Sequence, residues 1–112
     1  MADQYLGKFS YEHLDKIAEG IRLFNQQFYW ECHEELEHWW LEDRGDNARY
    51  VYWAVIQVAA AMIHYDKGNL AGAEGLWLKS KEKFNKCKEL HVESDLMYKY
   101  LSWEKLKGLV FS

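Results

Sequence analysis

The sequence predicts an all-α fold, a compact bundle of about five helices built from antiparallel hairpins, and three observations lead there. No segment sustains the two-residue alternation of a half-buried strand. The 112 residues include no proline, so no long segment is barred from helix. Apolar residues instead recur three and four apart, in runs separated by short polar breaks that contain glycine or asparagine. At this length the expectation is one domain, 1–112, and folding removes roughly two thirds of the unfolded surface from water.

Ser10 offers the side-chain oxygen of an N-cap, and Tyr11, Leu14, Ile17, Ile21 and Phe24 follow at helical spacing to about Gln26. A second helix runs from about Tyr29 to Glu42 and stops at Asp43-Arg44-Gly45-Asp46-Asn47. The third extends from about Ala48 to Lys67, where Gly68 suits the left-handed position that follows a helix end. Asn69 caps the fourth, which continues through Leu76, Leu78 and Phe84 to about Leu90. Ser94-Asp95 opens a fifth, ending near Lys107-Gly108.

Composition excludes several classes. Aromatic residues at 17% and charged residues at 29% suit a folded domain rather than a disordered tail. With 14 Lys+Arg against 18 Asp+Glu, the formal charge of -4 gives no electrostatic reason to seek duplex phosphate, so no nucleic-acid partner is expected. The longest apolar run, Val51 to Ile63, spans roughly 20 Å as a helix against about 30 Å of hydrocarbon, so no membrane crossing is expected. The opening residues show no secretory pattern, which makes a cytoplasmic location the expectation. Cys32 and Cys87 are too few for a disulfide framework and sit in apolar helical patterns, as buried reduced thiols do.

The second helix breaks the pattern. On a wheel of about 100° per residue, Trp30, His33, Glu34, Glu37, Trp40 and Leu41 share one arc, with Glu31, Glu35, His38 and Glu42 opposite. Two carboxylates and an imidazole thus accompany two tryptophans on the side expected to pack. Buried carboxylates must be paired, hydrogen-bonded, protonated or bound to a cation. On the third helix Trp53, Ile56, Gln57, Ala60, Ala61 and His64 share an arc, and an antiparallel pairing sets Gln57 level with Glu34 and His64 toward Trp30. Charge is also segregated: seven acids against Arg44 between Glu31 and Asp46, and five lysines against Glu82 between Lys79 and Lys88. The lysines read as a solvated face or an anionic-partner surface.

His33-Glu34-Glu35-Leu36-Glu37 starts like a zincin motif but has Glu37 where a second histidine belongs. The spacing allows His33 and Glu37 to share one divalent metal ion, with His64 as a further ligand and Glu34 as a general base for bound water. The competing expectation is a buried hydrogen-bond network of Glu34, Glu37, Gln57 and His64 that fixes packing or a small ligand. A di-iron site is rejected, since Glu35 and His38 have no second Glu-x-x-His to pair with. No phosphate loop, nucleophile elbow or basic-aromatic ribbon is present. The six tryptophans fall at apolar helical positions, where core or a subunit interface is the expectation.

The run from Phe24-Asn25 through Phe28-Tyr29-Trp30-Glu31-Cys32-His33-Glu34-Glu35-Leu36-Glu37 to Trp40, followed by Val55-Ile56-Gln57-Val58-Ala59-Ala60, His64, Gly68-Asn69 and Ala73, resembles the domain-of-unknown-function family 309 of small bacterial and archaeal proteins. The resemblance covers about Phe24 to Lys81. It implies a compact helical fold and marks Glu31, His33, Glu34, Glu37, Trp40, Gln57 and His64 as the polar signature, with a metal-dependent hydrolase as the activity sometimes inferred for relatives. Here Gln27 replaces the family's usual glycine and Cys32 a small alanine, the first altering the turn between the first two helices. A second likeness runs from Tyr65 through Gly68-Asn69, Ala73 and Trp77 to Ser80, which resembles the turn of a tetratricopeptide hairpin; a slide of 41 residues lays Gln27 on Gly68 and Cys32 on Ala73. The functional expectation is a metal-dependent hydrolase or small-ligand-binding protein, with a pocket of Trp30, Glu31, Trp40 and Gln57 beside the metal. The alternative is a non-enzymatic, tetratricopeptide-like interaction module whose inward acids are structural. A homo-oligomer and a small-molecule ligand are the expected partners.

Overall fold

The computed structural model describes residues 8–111, which form six helices: α1 Tyr11–Asn25, α2 Tyr29–Glu42, α3 Arg49–Asp66, α4 Leu70–Glu89, α5 Asp95–Tyr100 and α6 Trp103–Phe111. Each of the first four packs against its neighbours in sequence, giving antiparallel pairs, while α6 lies on α4 and α5 on α1. The central α3 buries nine of its residues, among them Val51, Tyr52, Val55 and Val58, between α2 and α4. Among the described residues no helix is long and apolar enough to cross a membrane.

Local chemistry sets the helix ends. Ser10 has extended backbone, and the His13 side chain, three residues on, reaches back so that Nδ1 accepts from the Ser10 N–H at 3.0 Å. Asn69 caps α4 by accepting from the Gly72 N–H at 3.0 Å, just after Gly68 takes the left-handed conformation at φ 80°. Gln27, where the family resemblance leads one to expect glycine, also adopts φ 68°. The left-handed turn is therefore kept without its glycine, at a cost of about 1–2 kcal/mol.

Packing decides the rest. Leu36 of α2 lies directly on Gly20 of α1, where an added Cβ would stand 2.3 Å from Leu36 Cδ2, so the absent side chain makes room for that contact. The Phe9 N–H donates to the Val92 carbonyl at 2.8 Å and Ser94 Oγ donates to the Phe9 carbonyl at 2.7 Å, tying the start of the described chain to the α4–α5 link.

The fifth helix expected from the sequence is two. Leu101 and Trp103 are both buried, yet two residues apart they would point to opposite sides of a continuous helix. A break at Ser102, with φ 52°, lets both enter the core. The two cysteines are free and fully buried, and burial pushes each thiol up to about 12, so neither offers a thiolate at neutral pH.

Candidate functional site

The second helix is rotated from the expected orientation. Its buried residues are Cys32 and Leu36, with Tyr29, Trp39 and Trp40 half-buried beside them. Glu31, Glu34 and Glu37 are exposed, and Trp30 retains 60% of its surface. The inward-facing acidic pocket is corrected accordingly. The physical reason is that α2 carries apolar residues on more than one side, so two faces compete for the core. Leu36 takes the core position because Gly20 of α1 leaves it a seat.

Part of the expected set still gathers, with Gln57 buried as expected and the aromatic residues around it only half-buried. Tyr50, Trp53, Gln57, Ala60 and His64 recur three and four apart along one side of α3. Trp40 of α2 packs on Trp53 with ring centroids 4.1 Å apart and the planes tilted by 49°, and Tyr50 meets both rings at 5.5 and 5.8 Å. Arg49 lies over Trp40 at 3.7 Å and Lys83 of α4 over Trp53 at 4.3 Å. The Gln57 amide joins α3 to α4, its oxygen accepting from Trp53 Nε1 at 3.2 Å and its NH2 donating to the Lys79 carbonyl at 2.9 Å, the orientation that satisfies both groups. Gln57 is thus committed to α4 and not to Glu34.

One turn before Trp40 on α2 lies Glu37, and one turn before that His33; His33 Nδ1 and Glu37 Oε2 are 3.6 Å apart. The His33 ring is stacked nearly parallel on Trp30, at 7° between planes. His64 is engaged elsewhere: its Nδ1 accepts from Asn69 Nδ2 at 3.0 Å, at the turn into α4. Glu34 shares with Glu37, His38 and Leu41 a shallow surface depression of about 240 Å³.

Among the described residues, the three ligand-bearing side chains with donor atoms within 4.8 Å of one another are His13, Asp43 and Asp46, a set with the spacing of a metal site that the sequence reading missed. Its hydrogen bonds show what occupies it. His13 Nδ1 accepts from the Ser10 N–H, which leaves Nε2 to carry the proton it donates to Asp46 Oδ2 at 2.7 Å. A metal on Nε2 would require a proton on Nδ1, where it would oppose the Ser10 N–H. Asp46 Oδ1 accepts from the Ala48 N–H at 2.9 Å, holding the entry to α3. Asp43 accepts from Lys16 Nζ at 2.8 Å and from the Tyr52 hydroxyl at 2.9 Å. The cation of this group is therefore Lys16, and its donors do not fit a divalent ion without breaking the α1 cap.

Its electrostatics agree. Burial works to raise the Asp43 pKa, but hydrogen bonds from Lys16 and Tyr52 and the Lys16 charge outweigh it and hold the carboxyl below the ordinary range. The same hydrogen bond to Asp43 holds Lys16 above its usual value despite desolvation. Burial and the bond to Asp43 push the Tyr52 hydroxyl well up, so it remains a donor. A signal for this cluster was present in the sequence: a histidine three residues after a Ser N-cap and an aspartate two residues before Ala48.

Comparison with known proteins now adds one fact. A family model described as a domain of unknown function (DUF309) matches residues 17–76, more than half of the chain. The chain belongs to the DUF309 family. The match takes in α2, α3 and the first turns of α4, and so the whole His33–Glu37–Trp40 side of α2. The Uncharacterized protein YpuF of Bacillus subtilis (strain 168) is 40% identical over 52 residues, which cover 46% of this chain and 30% of that protein. The chain thus spans under a third of that relative's length. No solved structure matches.

Proposed function

We propose that the α2–α3–α4 face binds a small-molecule ligand through one divalent cation held by His33 and Glu37. The observation that carries this reading is the 3.6 Å approach of His33 Nδ1 to Glu37 Oε2, one helical turn apart and open to solvent. Two ligands of one ion with bonds of about 2.0–2.2 Å stand at this order of separation, and an imidazole with a carboxylate suits zinc, manganese or iron(II). The remaining coordination positions face outward, where water or ligand oxygens complete them. In a hydrolytic version Glu34 acts as base on bound water, from the depression it shares with Glu37. The exposed setting of both glutamates favours ligand binding over a self-contained hydrolase, since they line an open depression that does not exclude water.

Titration of untagged protein with Mn, Zn and Fe(II) by calorimetry is expected to show one saturable site per chain. His33→Ala and Glu37→Gln should each weaken it at least about tenfold. Equal affinity in both variants and the parent protein sinks the proposal.

A further inference from the structure

Two cations on the α2–α3–α4 face lie over tryptophan rings with most of their bonding capacity unspent. Arg49 lies over Trp40, with Cζ 3.7 Å from the ring centroid, and donates one N–H, from Nη1, to the Trp40 carbonyl at 2.9 Å. A guanidinium has five N–H donors, and among the described residues no carboxylate forms an ion pair with it. The Lys83 side chain keeps only 13% of its surface, and the carboxylate beside it, Glu82 Oε2 at 3.6 Å, belongs to a side chain that is 73% exposed. Such a pairing is weak and screened. The two rings beneath these cations are themselves in contact, so the two cation–ring pairs are neighbours.

Two other largely buried lysines are arranged differently. Lys16 ends on Asp43, and Lys107 on Glu93 at 3.0 Å, each against a carboxylate that is itself largely buried. Arg49 has a ring face in place of a carboxylate, and Lys83 has one beside the exposed Glu82. A ring face offsets part of the desolvation of a cation but accepts none of its in-plane hydrogen bonds. Because a cation already covers an accessible face of each ring, this pair of rings selects against a positively charged ligand and for a negative one.

We propose that Arg49 and Lys83 form an oxyanion site that takes the phosphate or carboxylate group of the small molecule bound on this face. The inference rests on the ligand-binding reading and names the chemical class of the ligand. Arg49 supplies the planar fork that matches two oxygens of a phosphate or carboxylate, and Lys83 supplies a point charge from the α4 side. Glu37, one turn before Trp40, adds a negative charge near the site, so a divalent cation on His33 and Glu37 strengthens anion binding without being required for it. A ligand carrying an oxyanion and a further metal-binding oxygen would satisfy both halves of the face.

The test is a titration of EDTA-treated, metal-free protein with inorganic phosphate, inorganic pyrophosphate and succinate at low ionic strength, read from the Trp indole N–H resonances. Saturable binding is expected for the phosphates, the succinate or both, and the stronger series tells which oxyanion the fork prefers. Arg49→Gln and Lys83→Met should each weaken it at least about tenfold, with Lys88→Met, a change elsewhere on α4, unchanged. No saturable binding, or an equal loss in Lys88→Met, overturns the proposal. The metal titration of anion-free protein is a separate reading, so failure of the oxyanion site and failure of the His33–Glu37 site are distinguished.

Discussion

The His13–Asp46 cluster and the α2–α3–α4 face hold similar residue types and differ in how completely those residues are satisfied. In the cluster, each of Lys16, Asp43, Asp46 and Tyr52 ends on a partner of the chain itself, and His13 uses both ring nitrogens. On the face, His33 meets Glu37 at salt-bridge distance, Arg49 spends one of its donors, and Lys83 faces a ring. Metal-like spacing is therefore a poor guide by itself. The better guide is what remains unpaired once the fold has closed, because a satisfied group has no bonding capacity left for a ligand.

The largest way to break that contrast is Asp43→Ala. It orphans the hydroxyl of the buried Tyr52 and leaves Lys16 with only the exposed Glu12, so urea denaturation should show a loss of about 2–4 kcal/mol. A loss under about 1 kcal/mol would place the cluster with ordinary surface pairs. Acid titration sharpens the same point. Because the folded pKa of Asp43 lies below its unfolded value of about 3.9, its contribution is fully present above that pH and disappears as pH falls through the folded value. The parent protein should lose stability below about pH 4, and Asp43→Ala should show a shallower acid limb.

A smaller change with the opposite sign lies between the two regions. Gln27→Gly relieves the left-handed turn that links α1, which carries the cluster, to α2, which carries the face. Set against the entropy of glycine in the unfolded chain, a net gain of about 0.5–1 kcal/mol is expected. The smallest effect belongs to the face itself. Glu37→Gln should alter stability by no more than about 0.5 kcal/mol while lowering metal affinity. A large destabilisation there would assign Glu37 to the architecture instead of the ligand.

The helices were legible because their boundaries are local events. Ser10, Gly68, Asn69 and Ser94-Asp95 act on the next turn of chain, and α1 to α4 start and stop within two residues of the expected positions. The break at Ser102 was not legible, since it follows from Leu101 and Trp103 both finding places in a core that other elements build. The rotation of α2 was hidden for a related reason: periodicity shows that a helix has an apolar side, but α2 has more than one, and Gly20 in another helix selects between them. The approach of His13 to Asp46, 33 residues away, depends on how the hairpins dock and leaves no periodic trace.

The two buried thiols give the molecule a built-in clock for its own opening. Cys32 lies in α2 within the family-matched segment, and Cys87 lies near the end of α4 beside the α4–α5 link. With no surface on either sulfur, a thiol reagent reaches each only when its surroundings part. Equal modification rates at the two positions would report cooperative opening of the whole bundle. A faster Cys87 would mean that α5 and α6 detach while the helices carrying the candidate site stay closed.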